Sequence, residues 1–213
     1  AENILVSSLQ ALQARHAQKP FYLPKIFIRI RNPEQAMRLL DRLKDAQALI
    51  TGFNIPKFSL GNADAYLKVL EEINRHRENP CYMMPILESP DLVHLLDRAN
   101  ILYSLKEKLD SISQYVLNIR VGGNDLCHRF GFRRRSNETI YKIRPVADIF
   151  SDIITVFGMD YVVSGPVFEY YDGKDWEAGL EKELDEDRLC GFIGKTVIHP
   201  NQIRLVNEAY KVP

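Results

Sequence analysis

The sequence has no long apolar run, no excess of charge of either sign, no paired cysteines and no glycine-rich nucleotide loop, and each absence removes a class of protein. No stretch approaches the ~20 apolar residues that a membrane-spanning helix requires, and Ala1 to Gln18 lack the basic start and apolar centre of a secretory signal. Twenty-eight basic residues stand against 28 acidic ones, a formal net charge of zero, so neither nucleic acid nor an anionic membrane surface is the expected partner. The three cysteines, Cys81, Cys127 and Cys190, are odd in number and too far apart for a CxxC metal knuckle or a disulfide framework, which fits a reducing cytoplasm. The first strand-like run ends in Ile30-Arg31-Asn32-Pro33, where a dinucleotide-binding fold would carry its glycines.

What is present is alternation. The chain has 213 residues, 46% of them hydrophobic, enough for one substantial core and one domain over 1–213. Apolar runs of strand length, rich in Ile, Val, Phe and Tyr, recur at Lys25–Ile30, Ala48–Ile55, Cys81–Leu87, Tyr115–Val121, Tyr161–Ser164 and Phe192–Ile198. Between them lie helical spacings: Ile4, Leu5, Leu9 and Leu12; Met37, Leu40 and Leu43; Leu67, Leu70 and Ile73; Leu92, Leu95 and Leu96; Val146, Ile149, Phe150 and Ile153. Strands that alternate with helices predict a parallel α/β sheet, either open and doubly wound or closed as a barrel. Six strands are countable where a barrel needs eight, so two strands are expected upstream of Ala1. The acidic, polar stretch from Glu169 to Asp187 reads as a surface excursion, partly helical from Glu177.

In such folds chemistry gathers where strands end. Arg29 and Arg31, two apart on the first strand, point to one side and ask for an anion, since one structural ion pair would use only one of them. Lys57 follows a proline at the end of the second strand and is as readily a solvated lysine as a substrate contact. Glu88 follows the all-apolar third strand, where a charge wants a partner; a metal or substrate competes with simple electrostatic capping of the next helix. Gly122, Gly123, Asn124 and Asp125 follow the fourth strand, the glycines allowing close backbone approach to a ligand and Asp125 serving equally well as a helix N-cap. Neighbouring strands would set Glu88 and Asp125 roughly 5 Å apart. Two carboxylates completed by water and substrate oxygens suit Mg²⁺, whereas zinc would want histidine or thiolate. Arg133, Arg134 and Arg135 are either solvated or turned to a phosphate; His128 and His199 read as surface or structural groups.

The segments Arg29-Ile30-Arg31-Asn32-Pro33, Ile55-Pro56-Lys57, Ile86-Leu87-Glu88-Ser89, Gly123-Asn124-Asp125-Leu126 and Gly191-Phe192-Ile193-Gly194-Lys195-Thr196-Val197-Ile198-His199-Pro200-Asn201-Gln202 together resemble the citrate lyase β-subunit-like branch of the HpcH/HpaI aldolase family. The last run is the most specific. Ser164-Gly165-Pro166-Val167-Phe168-Glu169-Tyr170 looks like the subgroup often encoded beside tellurium-resistance-type genes. The resemblance implies a TIM (β/α)8 barrel of which strands three to eight are represented. It also implies Arg29, Glu88 and Asp125 as catalytic residues, with the two acids holding Mg²⁺ and Arg31, Lys57, Gly123 and Asn124 contacting substrate. The activity implied is cleavage or formation of a carbon-carbon bond in an oxo acid or a 3-hydroxyacyl coenzyme A thioester. A cytoplasmic homo-oligomer, trimer or hexamer, is implied as well, with a catalytic acid supplied by the neighbouring subunit in several relatives. Two alternatives stand beside it: the same chemistry on a phosphorylated sugar or nucleotide-linked acid, and a non-catalytic barrel subunit.

Overall fold

The computed structural model describes residues 1–75 and 77–211. Its centre is a parallel sheet of five strands, β1 (Ile26–Arg29), β2 (Ile50–Ile55), β3 (Tyr82–Leu87), β4 (Ile119–Val121) and β5 (Val163–Ser164), which lie in sequence order across the sheet. An unbroken sequential order puts every crossover on one face, unlike a doubly wound sheet with its reversal point. The helices obey it: α1 (Glu2–Gln18), α2 (Pro33–Leu43), α3 (Ala63–Asn74), α4 (Leu95–Asp110) and α6 (Arg144–Phe157) pack each against the next, and α5 (Gly123–Phe130) packs on α6. The other face is concave. Side chains from strands that are not neighbours meet across it, Arg120 of β4 donating to Asn54 of β2, as in a TIM-type barrel wall.

The main core lies between this wall and the helices. Ile28, Phe53, Ile55, Met83, Leu87, Ile119 and Val163 from the strands meet Leu39, Leu43, Leu70, Leu102, Leu105, Ile149 and Ile153 from the helices, each fully buried apolar side chain contributing on the order of 1.5–3 kcal/mol. Local chemistry sets several boundaries. The Asn32 side chain accepts the Gln35 N–H at 2.9 Å ahead of Pro33, starting α2, and Gly131, at φ 71°, closes α5 in the left-handed conformation.

Four sequence expectations are corrected. The sixth predicted strand, Phe192–Ile198, is reduced to an isolated parallel bridge between Gly165 and Lys195, because Gly191 and Gly194, at φ 92° and 100°, interrupt the extended chain. Leu95 and Leu96 are exposed; a 3-10 turn at Pro90–Val93 shifts the helical phase, and α4 buries Leu102, Leu105 and Leu109 instead. Asp125 is not the N-cap of the helix that follows Val121 but lies inside the first turn of α5, which Gly122 precedes. The acidic stretch is no surface excursion: α7 (Trp176–Leu189) buries Trp176, Leu180 and Leu184, which with Phe168, Leu205 and Val206 of α8 (Ile203–Ala209) form a second core.

Candidate active site

Glu88 stands just beyond the end of β3 and is almost wholly buried, at 4% exposure. Its Oε1 accepts the backbone N–H of Lys57 at 3.1 Å and lies 3.7 Å from the Arg29 guanidinium. Lys57 reaches that position in the left-handed conformation, φ 52°, which costs a non-glycine residue of order 1–2 kcal/mol and is characteristic of functional sites. The room for Glu88 is made by Gly122, where a Cβ would fall 2.0 Å from Glu88 Oε2. The space left by Gly123 is filled by Ile140 and Pro166. The absent side chains of these two glycines thus serve the protein's own packing, whereas the sequence had suggested a ligand's approach.

Asp125 lies in the first turn of α5, its side chain 43% exposed and 3.9 Å from Lys57 Nζ. It is the acid whose charge acts on Glu88. Burial first, and then the Asp125 charge, push the Glu88 carboxyl above its usual range, against the opposing pull of the Lys57 N–H and Arg29. Both cation contacts are near the limit of an ion pair, so the acids face each other with little neutralisation. A donor set of two carboxylates suits a hard cation that keeps most of its shell as water and ligand. Among the described residues no group of three or more His, Cys, Asp or Glu could hold a metal, which leaves this pair as the candidate.

Arg29, Arg31 and Lys57 line the same side. A cavity of about 590 Å³ is bounded by Arg29, Arg31, Pro56, Lys57, Asn62 and Tyr66, and another of about 660 Å³ by Glu2, Arg29, Arg31, Asn32, Gln35 and Arg38 among others. Arg38 and Arg42 are engaged by Glu2 at 2.9 and 3.2 Å. Arg31 is exposed. Asn124 carries a buried Oδ1 without a partner among the described residues.

Of the basic run, Arg133 and Arg135 are exposed, but Arg134 is buried, 2.7 Å from Glu183 and over the Phe168 ring at 5.0 Å; it cannot meet a phosphate. It belongs to a closed ion network under α7. Lys195 Nζ donates to Glu183 Oε1 at 2.9 Å and to Asp187 Oδ2 at 2.7 Å, Glu183 Oε2 accepts the Ile140 N–H at 2.8 Å, and Tyr141 donates its hydroxyl to Asp187 at 2.5 Å. Burial and the Asp187 charge push the Tyr141 hydroxyl far up. His199 stacks on Tyr171 at 4.3 Å and accepts the Asn201 N–H at 3.2 Å, a structural role, and His128 is exposed.

The sequence reading missed Arg120. Its strand looked apolar, yet strand alternation puts Asn118, Arg120 and Gly122 on one face, and that alternation was the available signal.

No curated protein matches the chain by sequence. Among solved structures, RipC from Yersinia pestis is 19% identical with a TM-score of 0.64, the match covering 96% of this chain and 84% of that one. The citrate lyase β subunit of Mycobacterium tuberculosis, solved with oxaloacetate and magnesium, is 19% identical at TM-score 0.54, over 87% of this chain and 73% of that one. Malate synthase from Haloferax volcanii, in a magnesium and glyoxylate complex, is 13% identical at TM-score 0.71, over 98% of this chain but only 61% of its own length. These likenesses are likenesses of fold. A family model described as C-C bond lyase of the TIM-barrel fold matches residues 1–213. The chain therefore belongs to the family of carbon-carbon bond lyases built on the TIM barrel.

Proposed function

We propose that this chain is a Mg²⁺-dependent carbon-carbon lyase that cleaves or condenses an oxo acid or a 3-hydroxyacyl thioester, with Glu88 and Asp125 as the metal ligands. The observation that carries the reading is the pair itself: one buried acid raised by burial and by the second acid beside it, at the end of a barrel strand. Apposed carboxylates need a proton or a cation between them. The magnesium complexes of the citrate lyase β subunit and of malate synthase support the choice of ion.

When bound, Mg²⁺ would supply Lewis acidity toward the oxygens of the acid. The chain's own groups do the rest. Arg29, 62% exposed and only 3.7 Å from Glu88, is free to turn toward an oxygen on which negative charge grows. Lys57 fixes the rotamer of Glu88 through its backbone N–H and holds its ammonium beside Asp125. Arg31 lies farther out along the same cavity wall, where a substrate carboxylate or thioester tail would enter, and Asn124 offers an uncommitted carbonyl oxygen.

A second reading keeps the chemistry and changes the handle. The two cavities that share Arg29 and Arg31 have the charge for a phosphorylated sugar or a nucleotide-linked acid. Binding of coenzyme A against sugar phosphates separates the two. For the main reading, Glu88→Gln and Asp125→Asn should each abolish calorimetric Mg²⁺ uptake and lower turnover by orders of magnitude while leaving the circular dichroism spectrum intact. Retained Mg²⁺-dependent turnover in both variants would overturn it.

A further inference from the structure

Arg120 occupies the concave face of the wall one layer below the acids. It pairs in register with Ile86, while Glu88 lies two residues farther along the chain, just past the end of β3, about 6.6 Å at strand rise. Its guanidinium is clamped from two sides. One nitrogen donates to Asn54 Oδ1 at 2.7 Å and the other to Thr196 Oγ1 at 2.7 Å, acceptors that belong to β2 and to the segment bridged to β5. Both acceptors are neutral. Burial, and then the nearby positive charge of Arg29, make the charged form less comfortable than in water, with only the Glu88 charge pulling the other way; neither of its two acceptors is an acid.

This is an unusual way to keep an arginine. A guanidinium has five N–H donors in a rigid fork, and two acceptors fix its plane while leaving the others uncommitted. A partly buried cation without a counter-charge is destabilising, and an apolar side chain of similar volume would serve the fold better. Orientation without neutralisation is what a site for an incoming anion requires.

We infer that Arg120 is a specificity-determining residue, which receives a second carboxylate of the substrate, so that the preferred oxo acid is a dicarboxylate held between the strand-end acids with their cation and the barrel interior. Asn54 and Thr196 act as positioning residues that aim the fork. The inference rests on the lyase reading above for the placement of the reacting end, and adds the charge and length of the other end.

The test is calorimetric binding to the full chain with Mg²⁺, comparing oxaloacetate with pyruvate, which differ by one carboxylate. Wild type should prefer oxaloacetate by at least tenfold. Arg120→Met should remove that preference, leave pyruvate affinity within about threefold, and melt no lower than wild type; Arg120→Lys, which keeps the charge without the fork, should retain part of the preference and serves if the methionine variant fails to fold. Equal weakening of both ligands, an unchanged ratio, or a lower melting temperature with an unchanged ratio would each make Arg120 merely structural and overturn the inference. A preference for 3-phosphoglycerate, rather than oxaloacetate, that is lost in Arg120→Met would overturn the dicarboxylate assignment. Glu88→Gln separates the two proposals. If it keeps Mg²⁺ uptake, the metal reading fails, while selectivity lost only in the Arg120 variants still upholds this one.

Discussion

Lys195 sits in the run Gly194-Lys195-Thr196-Val197-Ile198-His199-Pro200, the segment that most strongly carries the family resemblance, and a lysine there invites a catalytic reading. The structure gives it another task, and Lys195→Met tests that task. Its side chain is 1% exposed between Glu183 and Asp187, both at 0%. The network holds two cations, Arg134 and Lys195, and two anions, Glu183 and Asp187, so it is neutral as it stands. Methionine would fill the volume but leave one net negative charge in the interior. Glu183 would keep Arg134 and the Ile140 N–H; Asp187 would keep only the Tyr141 hydroxyl. Breaking a buried pair from one side costs about 3–5 kcal/mol, and a chain of this size loses about 2–4 °C per kcal/mol, so the melting temperature should fall by roughly 6–20 °C. The double variant K195M/D187N, neutral again, should recover at least half of the loss. Differential scanning calorimetry of the three proteins decides the matter. A Lys195→Met protein that melts within 2 °C or so of wild type, or a double variant less stable than the single one, would refute the argument and reopen a chemical role for this lysine.

Two further predictions concern the acids. Because Glu88 is raised above its ordinary 4.5, the folded protein binds more protons than the unfolded chain between that value and its folded pKa. Stability should therefore decline as pH rises through that window, by about 1.4 kcal/mol for each unit of elevation. Chemical denaturation from pH 4 to 8 should show a flatter profile for Glu88→Gln, and a profile as steep as wild type would be fatal to the idea. Gly122→Ala would place a methyl 2.0 Å from Glu88 Oε2; overpacking costs typically 1–3 kcal/mol, and Mg²⁺ affinity should fall more than stability does, which titration and thermal melts together would reveal.

Much of the architecture was legible because parallel strands buried on both faces read as continuous apolar runs. β1, β2 and β3 begin and end within two residues of their predicted bounds. The polar residues at strand ends were legible for the same reason: Arg29, Lys57, Glu88 and Asp125 are the charges that interrupt those runs, and they converge. What failed did so where a residue's meaning depends on a distant partner. Glu183 and Asp187 made α7 look like surface, since acids are almost never buried unpaired; their partners Arg134 and Lys195 lie on other segments, and Arg134 was accordingly taken for a solvated or phosphate-facing group. Leu95 and Leu96 had the right spacing for a helix face and the wrong phase, which a single 3-10 turn decides. Arg120 was hidden inside a strand counted as apolar.

The existence of two separate apolar clusters has a spectroscopic consequence. Trp176 is the chain's one tryptophan, and it belongs to the smaller cluster, with Phe168, Leu180, Leu184, Leu205 and Val206, rather than to the core behind the sheet. Emission excited at 295 nm thus watches the carboxyl-terminal quarter of the fold alone, while far-ultraviolet ellipticity averages over all eight helices described. If α7 and α8 open as a cooperative unit of their own, the two signals will separate along a denaturant titration, with the fluorescence leading. The protein carries a built-in reporter for the region whose buried charges hold Lys195.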